Sequence, residues 1–203
     1  MAPNSRLDRI VIESWKNFLQ SQGAVVENAT VIHYGDPATE RMASVNGTIV
    51  ADLSQLGVIA FHGDDTVSFL QGQLTNDLRN LHADSAQWNG YCSPKGRLLG
   101  NFLVWRQGAD YCLQLSGDIL PSLLKRLSMF ILRAKVQGRD ASDETVRLVV
   151  AGKQALASVA AALGAVPESA MHCVAAAAGQ VIRVGDDKFV LSIAPERAPA
   201  VWQ

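Results

Sequence analysis

Side chains able to do chemistry are concentrated in two short stretches, Phe69-Leu70-Gln71-Gly72-Gln73-Leu74-Thr75-Asn76-Asp77 and Gly90-Tyr91-Cys92-Ser93-Pro94-Lys95-Gly96-Arg97. Val67, Leu70 and Leu74 fall on one helical face, and Gly63-Asp64-Asp65 before them supplies a turn and an N-cap. A short helix therefore carries Gln71 and Gln73 towards Thr75-Asn76-Asp77. In the second stretch Pro94 and Gly96 bracket Lys95, the composition of a tight turn between two strands. If the helix end and the turn meet, Asn76, Asp77, Lys95 and nearby amides enclose one small polar spot that can hold a ligand by hydrogen bonds and charge.

Each stretch also has a plainer reading. Asn-Asp after a helix is commonly a cap, and Pro-Lys-Gly is commonly a hairpin turn. Taken as a pair, Phe-Leu-Gln-Gly-Gln-Leu-Thr-Asn-Asp followed by Tyr-Cys-Ser-Pro-Lys-Gly-Arg-Leu-Leu resembles the YgfZ/GcvT family. These are folate-binding proteins related to the aminomethyltransferase (T-protein) of the glycine cleavage system. The resemblance is strongest from Val58 to Ser116. It implies an α+β fold of paired ferredoxin-like β-α-β-β-α-β subdomains, with tetrahydrofolate as cofactor. A reduced pterin presents a flat ring with a donor-acceptor edge, so its pocket needs amides or a carboxylate at that edge, apolar walls, and a cation for the glutamate tail. On the resemblance, Gln71, Gln73, Asn76 and Asp77 are the edge candidates and Tyr91, Leu99, Phe102 and Leu113 the wall candidates. Lys95 or Arg97 reaches the tail. Ordinary sheet core is the competing reading of the apolar members.

One departure bears on mechanism. In the aminomethyltransferase branch, the strand after the turn carries an aspartate that meets the folate and stabilises cationic one-carbon species. Here Gly100-Asn101 stands where that aspartate is expected. Asn101 can hydrogen-bond a ligand but supplies no negative charge to a developing iminium. The resemblance thus favours the YgfZ branch: a cytoplasmic, folate-binding accessory protein for iron-sulfur cluster synthesis or repair, with iron-sulfur client proteins as partners and no aminomethyl turnover. Two alternatives stay open, a folate-dependent aminomethyl- or methyltransferase and an interaction scaffold without ligand.

Composition narrows the classes further. A formal net charge of -1 with no basic block argues against strong generic nucleic-acid binding. No apolar run approaches the ~20 residues that span a bilayer, and Arg6, Asp8, Arg9, Glu13 and Lys16 interrupt the N-terminal segment. A soluble, unexported chain without a membrane partner is the expectation. Cys92, Cys112 and Cys173 show neither a disulfide framework nor zinc-ligand spacing, and Cys112 in an apolar run reads as a buried thiol. Phosphate-binding glycine loops, Gly-x-Ser-x-Gly and His-Glu-x-x-His are absent from the sequence. His33 and His62 read as structural histidines, and His82 and His172 as loop residues.

Around the two motifs the pattern predicts an amphipathic N-terminal helix on Ile10, Ile12, Trp15, Phe18 and Leu19, ended by Gly23. Strands follow at Ala29 to Tyr34, Thr48 to Asp52 and Val58 to His62. The series continues as helix 64–76, strands 85–92, 97–106 and 110–115, helix 117–132 and strand 133–138. A similar series begins at Thr145 and stops at Val201-Trp202-Gln203, early in its second helix. The expected division is therefore 1–140 and 141–203, with the second unit incomplete and short of an edge strand. By resemblance, a longer protein would continue into a Lys-Gly-Cys motif and a small β-barrel.

Overall fold

The computed structural model describes residues 6–27 and 30–203, and the side chains of 13–27 and 30–203. It divides into two compact units, one continuous (Leu56–Ser142) and one discontinuous, made of the chain up to Gln55 together with Asp143–Gln203. The first part of the discontinuous unit holds α1 (Arg6–Ser21), β1 (Val25–Glu27), β2 (Thr30–His33), α2 (Pro37–Asn46) and β3 (Thr48–Asp52). The continuous unit holds β4 (Leu56–His62), α3 (Thr66–Gln71), β5 (Ala86–Cys92), β6 (Leu98–Gln107), β7 (Asp110–Ser116), α4 (Leu120–Ser128) and β8 (Gln137–Asp140). The chain then returns with β9 (Val146–Gly152), α5 (Ala155–Leu163), β10 (His172–Ala176), β11 (Gly179–Gly185), β12 (Lys188–Ile193) and α6 (Ala198–Trp202).

In the continuous unit the sheet order is β5-β6-β7-β4-β8, antiparallel throughout. This is the ferredoxin-like order with one more strand in its meander. Strand alternation sends Ile59, Phe61, Phe102, Val104, Leu113 and Leu115 to one face, where they pack with Phe69 and Leu70 of α3 and Leu120, Leu123 and Leu127 of α4. Those three leucines recur at i, i+3 and i+7, and Pro121 sits in the first turn, where its missing N–H costs nothing. Burying each one stabilises the unit by roughly 1.5–3 kcal/mol. The opposite face carries Val58, Ala60, Leu103, Trp105, Cys112 and Gln114.

The discontinuous unit repeats the plan in the order β10-β11-β12-β9-β3. Its core gathers Leu148, Val181, Phe189 and Leu191 from the sheet, Val159 and Leu163 from α5, and Trp15 and Leu19 from α1. Trp15 satisfies its indole N–H on Asp52 Oδ1 at 2.9 Å. Ile10 and Ile12, also expected on that apolar stripe, lie outside the described side chains.

Matching β9 to β4 shows that β3 takes the place beside β9 that β8 takes beside β4. The edge strand expected to be missing from this sheet is supplied from the N-terminal side. Chain order places residues 48–52 in the first unit, whereas their backbone groups are satisfied by β9, with Thr48 opposite Gly152 and Asp52 opposite Leu148. Two glycines mark the equivalence. Gly63 ends β4 at φ +126 and Gly152 ends β9 at φ +118, and a Cβ on either would stand 2.0–2.1 Å from a carbonyl oxygen just before the edge strand, Lys135 O or Gly47 O.

Three further details differ from the sequence reading. Residues 37–46 form α2, capped by Asp36, whose Oδ1 accepts from Ala38 N at 3.0 Å, with Pro37 in the first turn. No α2 residue is buried, so apolar periodicity gave no helix signal there. Residues 25–27 form a short strand paired with β2. Val201 and Trp202 are half-buried rather than exposed, the Trp202 ring lying 5.8 Å from Trp15 and 5.5 Å from Tyr34. Among the described residues no helix is long and apolar enough to cross a membrane.

Candidate functional site

The helix carrying the first motif, α3, ends at Gln71, and the chain then runs along the free edge of β5. Leu74 bridges Tyr91, Thr75 N donates to Gly90 O at 3.0 Å, and Gly90 N donates to Thr75 Oγ1 at 2.8 Å. Asn76 N donates to Asn89 Oδ1 at 2.8 Å and Asn76 Nδ2 to Trp88 O at 2.5 Å. Residues 74–76 thereby satisfy the outward backbone groups of an edge strand. A Cβ at Gly90 would lie 2.8 Å from Leu98 Cδ1, the end of an exposed side chain that can shift, and 3.4 Å from Thr75 Oγ1. Gln71 Oε1 accepts from Leu78 N at 2.7 Å. Asp77 caps the 3-10 turn Leu78–Asn80 by accepting from Arg79 N at 2.9 Å. Its carboxylate also takes two bonds from the Arg79 guanidinium, at 2.9 and 2.7 Å.

The Arg79 guanidinium and, next, the Arg79 backbone N–H hold the Asp77 carboxyl below its usual range. A carboxyl depressed in the folded state stabilises that state above its unfolded value, about 3.9, and stops doing so as pH falls through the folded value. Asp77→Ala is therefore expected to lower the melting temperature slightly at neutral pH, the pair being exposed and screened. Melts of parent and variant should converge in acid; a gap that persists there would show that ionised Asp77 contributes nothing.

Other sequence candidates lie inside the helix-side core. Phe102 and Leu113 are fully buried there, and Tyr91 is buried with its hydroxyl accepting from Arg126 Nε at 3.1 Å. Gln73 is half-buried beyond α3. Lys95 is exposed at the tip of a turn closed by Ser93 N to Arg97 O at 2.8 Å and Gly96 N to Ser93 O at 2.9 Å. The two motifs touch along β5, but their polar ends diverge. Residues 74–76 run antiparallel to β5, so Asn76 sits at the level of Trp88 and Asn89 while the Lys95 turn begins at Ser93. At ~3.3 Å per residue the separation is roughly 13 Å, too far for Asn76-Asp77 and Lys95 to meet one pterin edge.

Asn101 occupies the face turned away from the helices, directly opposite Gly90. Around it stand Trp88, 51% exposed, and Leu98, 61% exposed, whose Cδ1 lies over Gly90. Further along this face Gln114, paired opposite Leu103, is only 7% exposed, and its Oε1 has no hydrogen-bond partner. Trp105 Nε1 is likewise buried without an acceptor. On strands β4 to β8, Asp110 is the carboxylate of this face, bound to Arg139 Nη2 at 2.7 Å. It pairs opposite Gln107, six residues along β6 from Asn101, or roughly 20 Å. An indole and a leucine can flank a flat ring and Asn101 can address its edge, whereas the face is closed to solvent at Leu103, Trp105 and Gln114. Sequence reasoning passed over Trp88 and Gln114. The period-2 alternation that puts 101, 103, 105, 112 and 114 on one face was the available signal.

This architecture defines the class. The fold is that of the aminomethyltransferase T of the Bartonella henselae glycine cleavage system, which aligns with 92% of this chain and 54% of its own at a TM-score of 0.78 and 18% identity. The chain belongs to the GCVT N-terminal domain family, whose model matches residues 18–203. It is similar to the tRNA-modifying protein YgfZ of Vibrio vulnificus (strain YJ016), 35% identical over 111 residues, covering 55% of this chain and 34% of that protein. It also resembles the iron-sulfur cluster assembly factor IBA57 homolog, mitochondrial, of Mycosarcoma maydis, 31% identical over 108 residues, covering 47% and 27%. The chain spans between about a third and two-fifths of the length of the first curated relatives it matches.

Proposed function

We propose that this chain binds a reduced folate on the helix-free face of the Leu56–Ser142 sheet and acts as a non-transferring accessory protein in cytoplasmic iron-sulfur cluster synthesis or repair. The names of its relatives, a tRNA-modifying protein and an iron-sulfur cluster assembly factor, support a role of that kind. A bound reduced folate supplies nitrogen atoms that accept or donate a one-carbon unit. Trp88 and Leu98 hold the ring and Asn101 meets its edge. Lys95 and Arg97, in the turn just beyond the Asn101 end of β5 and β6, take the glutamate carboxylates. Asn76 holds the edge of β5 at Trp88, and Gln71 and Asp77 fix the turn that follows it. The observation that carries the reading is the exposed pair Trp88 and Leu98 flanking Asn101 on a face whose carboxylate is distant and tied to arginine.

Titration of the chain with tetrahydrofolate under reducing conditions tests this. Binding is expected, and Trp88→Ala is expected to weaken it roughly tenfold, the ~1.5 kcal/mol worth of a well-stacked aromatic pair. No binding, or an affinity that survives Trp88→Ala but falls in a folded Asp77→Ala protein, would return the site to the motif ends or leave a scaffold without ligand.

A further inference from the structure

Two recesses of about 370 and 400 Å³ share Leu99 as a common wall and form one groove between the turn at 93–97 and α4. Leu99, Ile119, Leu123 and Met129 give it an aliphatic floor. Four cations border it, Lys95 and Arg97 at the turn and Lys125 and Arg126 on α4. No carboxylate lines either recess, and among the described residues none forms an ion pair with these four. Arg126 is held against the Tyr91 ring through its Nε, which fixes the guanidinium at the rim.

We propose that this groove docks an acidic amphipathic helix of a partner protein, its apolar stripe on the Leu99–Met129 floor and its carboxylates between the two cationic rims. The inference shares Lys95 and Arg97 with the folate reading, but its aliphatic floor and its Lys125 and Arg126 rim belong to the α4 side and take no part in that reading. Charge complementarity selects an anionic occupant, and the aliphatic floor selects one with apolar side chains to bury. A nucleic-acid strand meets the first condition, but it finds no aromatic ring on this floor for its bases to stack on. A bilayer takes up protruding apolar groups, whereas these line a recess. A helix laid in a groove meets both conditions, with anchors at i, i+3, i+4 and i+7.

The test is fluorescence anisotropy with a fluorescein-labelled Leu/Glu amphipathic peptide of about 14 residues, roughly 21 Å of helix. A Leu/Lys peptide of equal length, an oligouridine strand and phosphatidylserine vesicles serve as competing probes. Saturable binding of the Leu/Glu peptide is expected, weakened at least tenfold by Lys125→Glu and by Met129→Ser, with circular dichroism confirming that each variant is folded. Rising salt should weaken it further. Failure of the peptide to bind, equal binding of the Leu/Lys peptide, preference for oligouridine or vesicles, or indifference to both substitutions would each overturn the proposal.

Discussion

Gly152→Ala is expected to destabilise the protein by about 3 kcal/mol, a large effect for the addition of one methyl group. Two costs combine. At φ +118 an L side chain is strained, by roughly 1–3 kcal/mol. The new Cβ would also lie 2.1 Å from Gly47 O and 2.8 Å from Thr48 Cα, backbone atoms that yield only if β3 moves off β9, at roughly another 1–3 kcal/mol. Gly96→Ala is the control: its φ is +75, but nothing lies within 4 Å of the added carbon, so only about 1 kcal/mol of strain is expected. Urea unfolding of both variants and the parent measures the difference. Equal midpoints for the two variants would mean that β3 is not seated against β9.

The second large effect concerns chemistry. Glycine-cleavage turnover, assayed with tetrahydrofolate and an aminomethylated lipoyl carrier, is expected to be at least about 100-fold below the ~10 per second of a median enzyme. Removing one group that stabilises transition-state charge typically costs 10²–10³ in rate, and here the aspartate expected at the Gly100-Asn101 position is absent. Asp110 cannot substitute, being at the far end of the sheet and paired with Arg139. The protein should bind folate in the same assay mixture. Turnover near the median rate would establish an aminomethyltransferase and end the accessory reading.

Local pattern was enough to read much of the scaffold. Alternating apolar residues set the strands of 56–116, the i, i+3 spacing set α1 and α4, and Gly-Pro punctuation placed the turns, because each depends on neighbours within a few residues. That position 101 holds an uncharged amide was also legible, since it is a matter of residue type. Pairing across the chain was not. β3 joins β9 because that sheet needs an edge partner, and nothing in residues 48–52 states which sheet they join. Nor does a motif's composition say what its side chains face. Gln71, Asn76 and Asp77 read as ligand contacts, yet tertiary structure turns Asn76 onto the β5 edge and Gln71 and Asp77 onto backbone amides of the turn at Leu78–Asn80, where unpaired amides would otherwise be costly. Alternation divides a strand into two faces, but only the packing of α3 and α4 decided that Tyr91, Phe102 and Leu113 are core. The same packing left Trp88, Asn101 and Gln114 on the other face of the sheet.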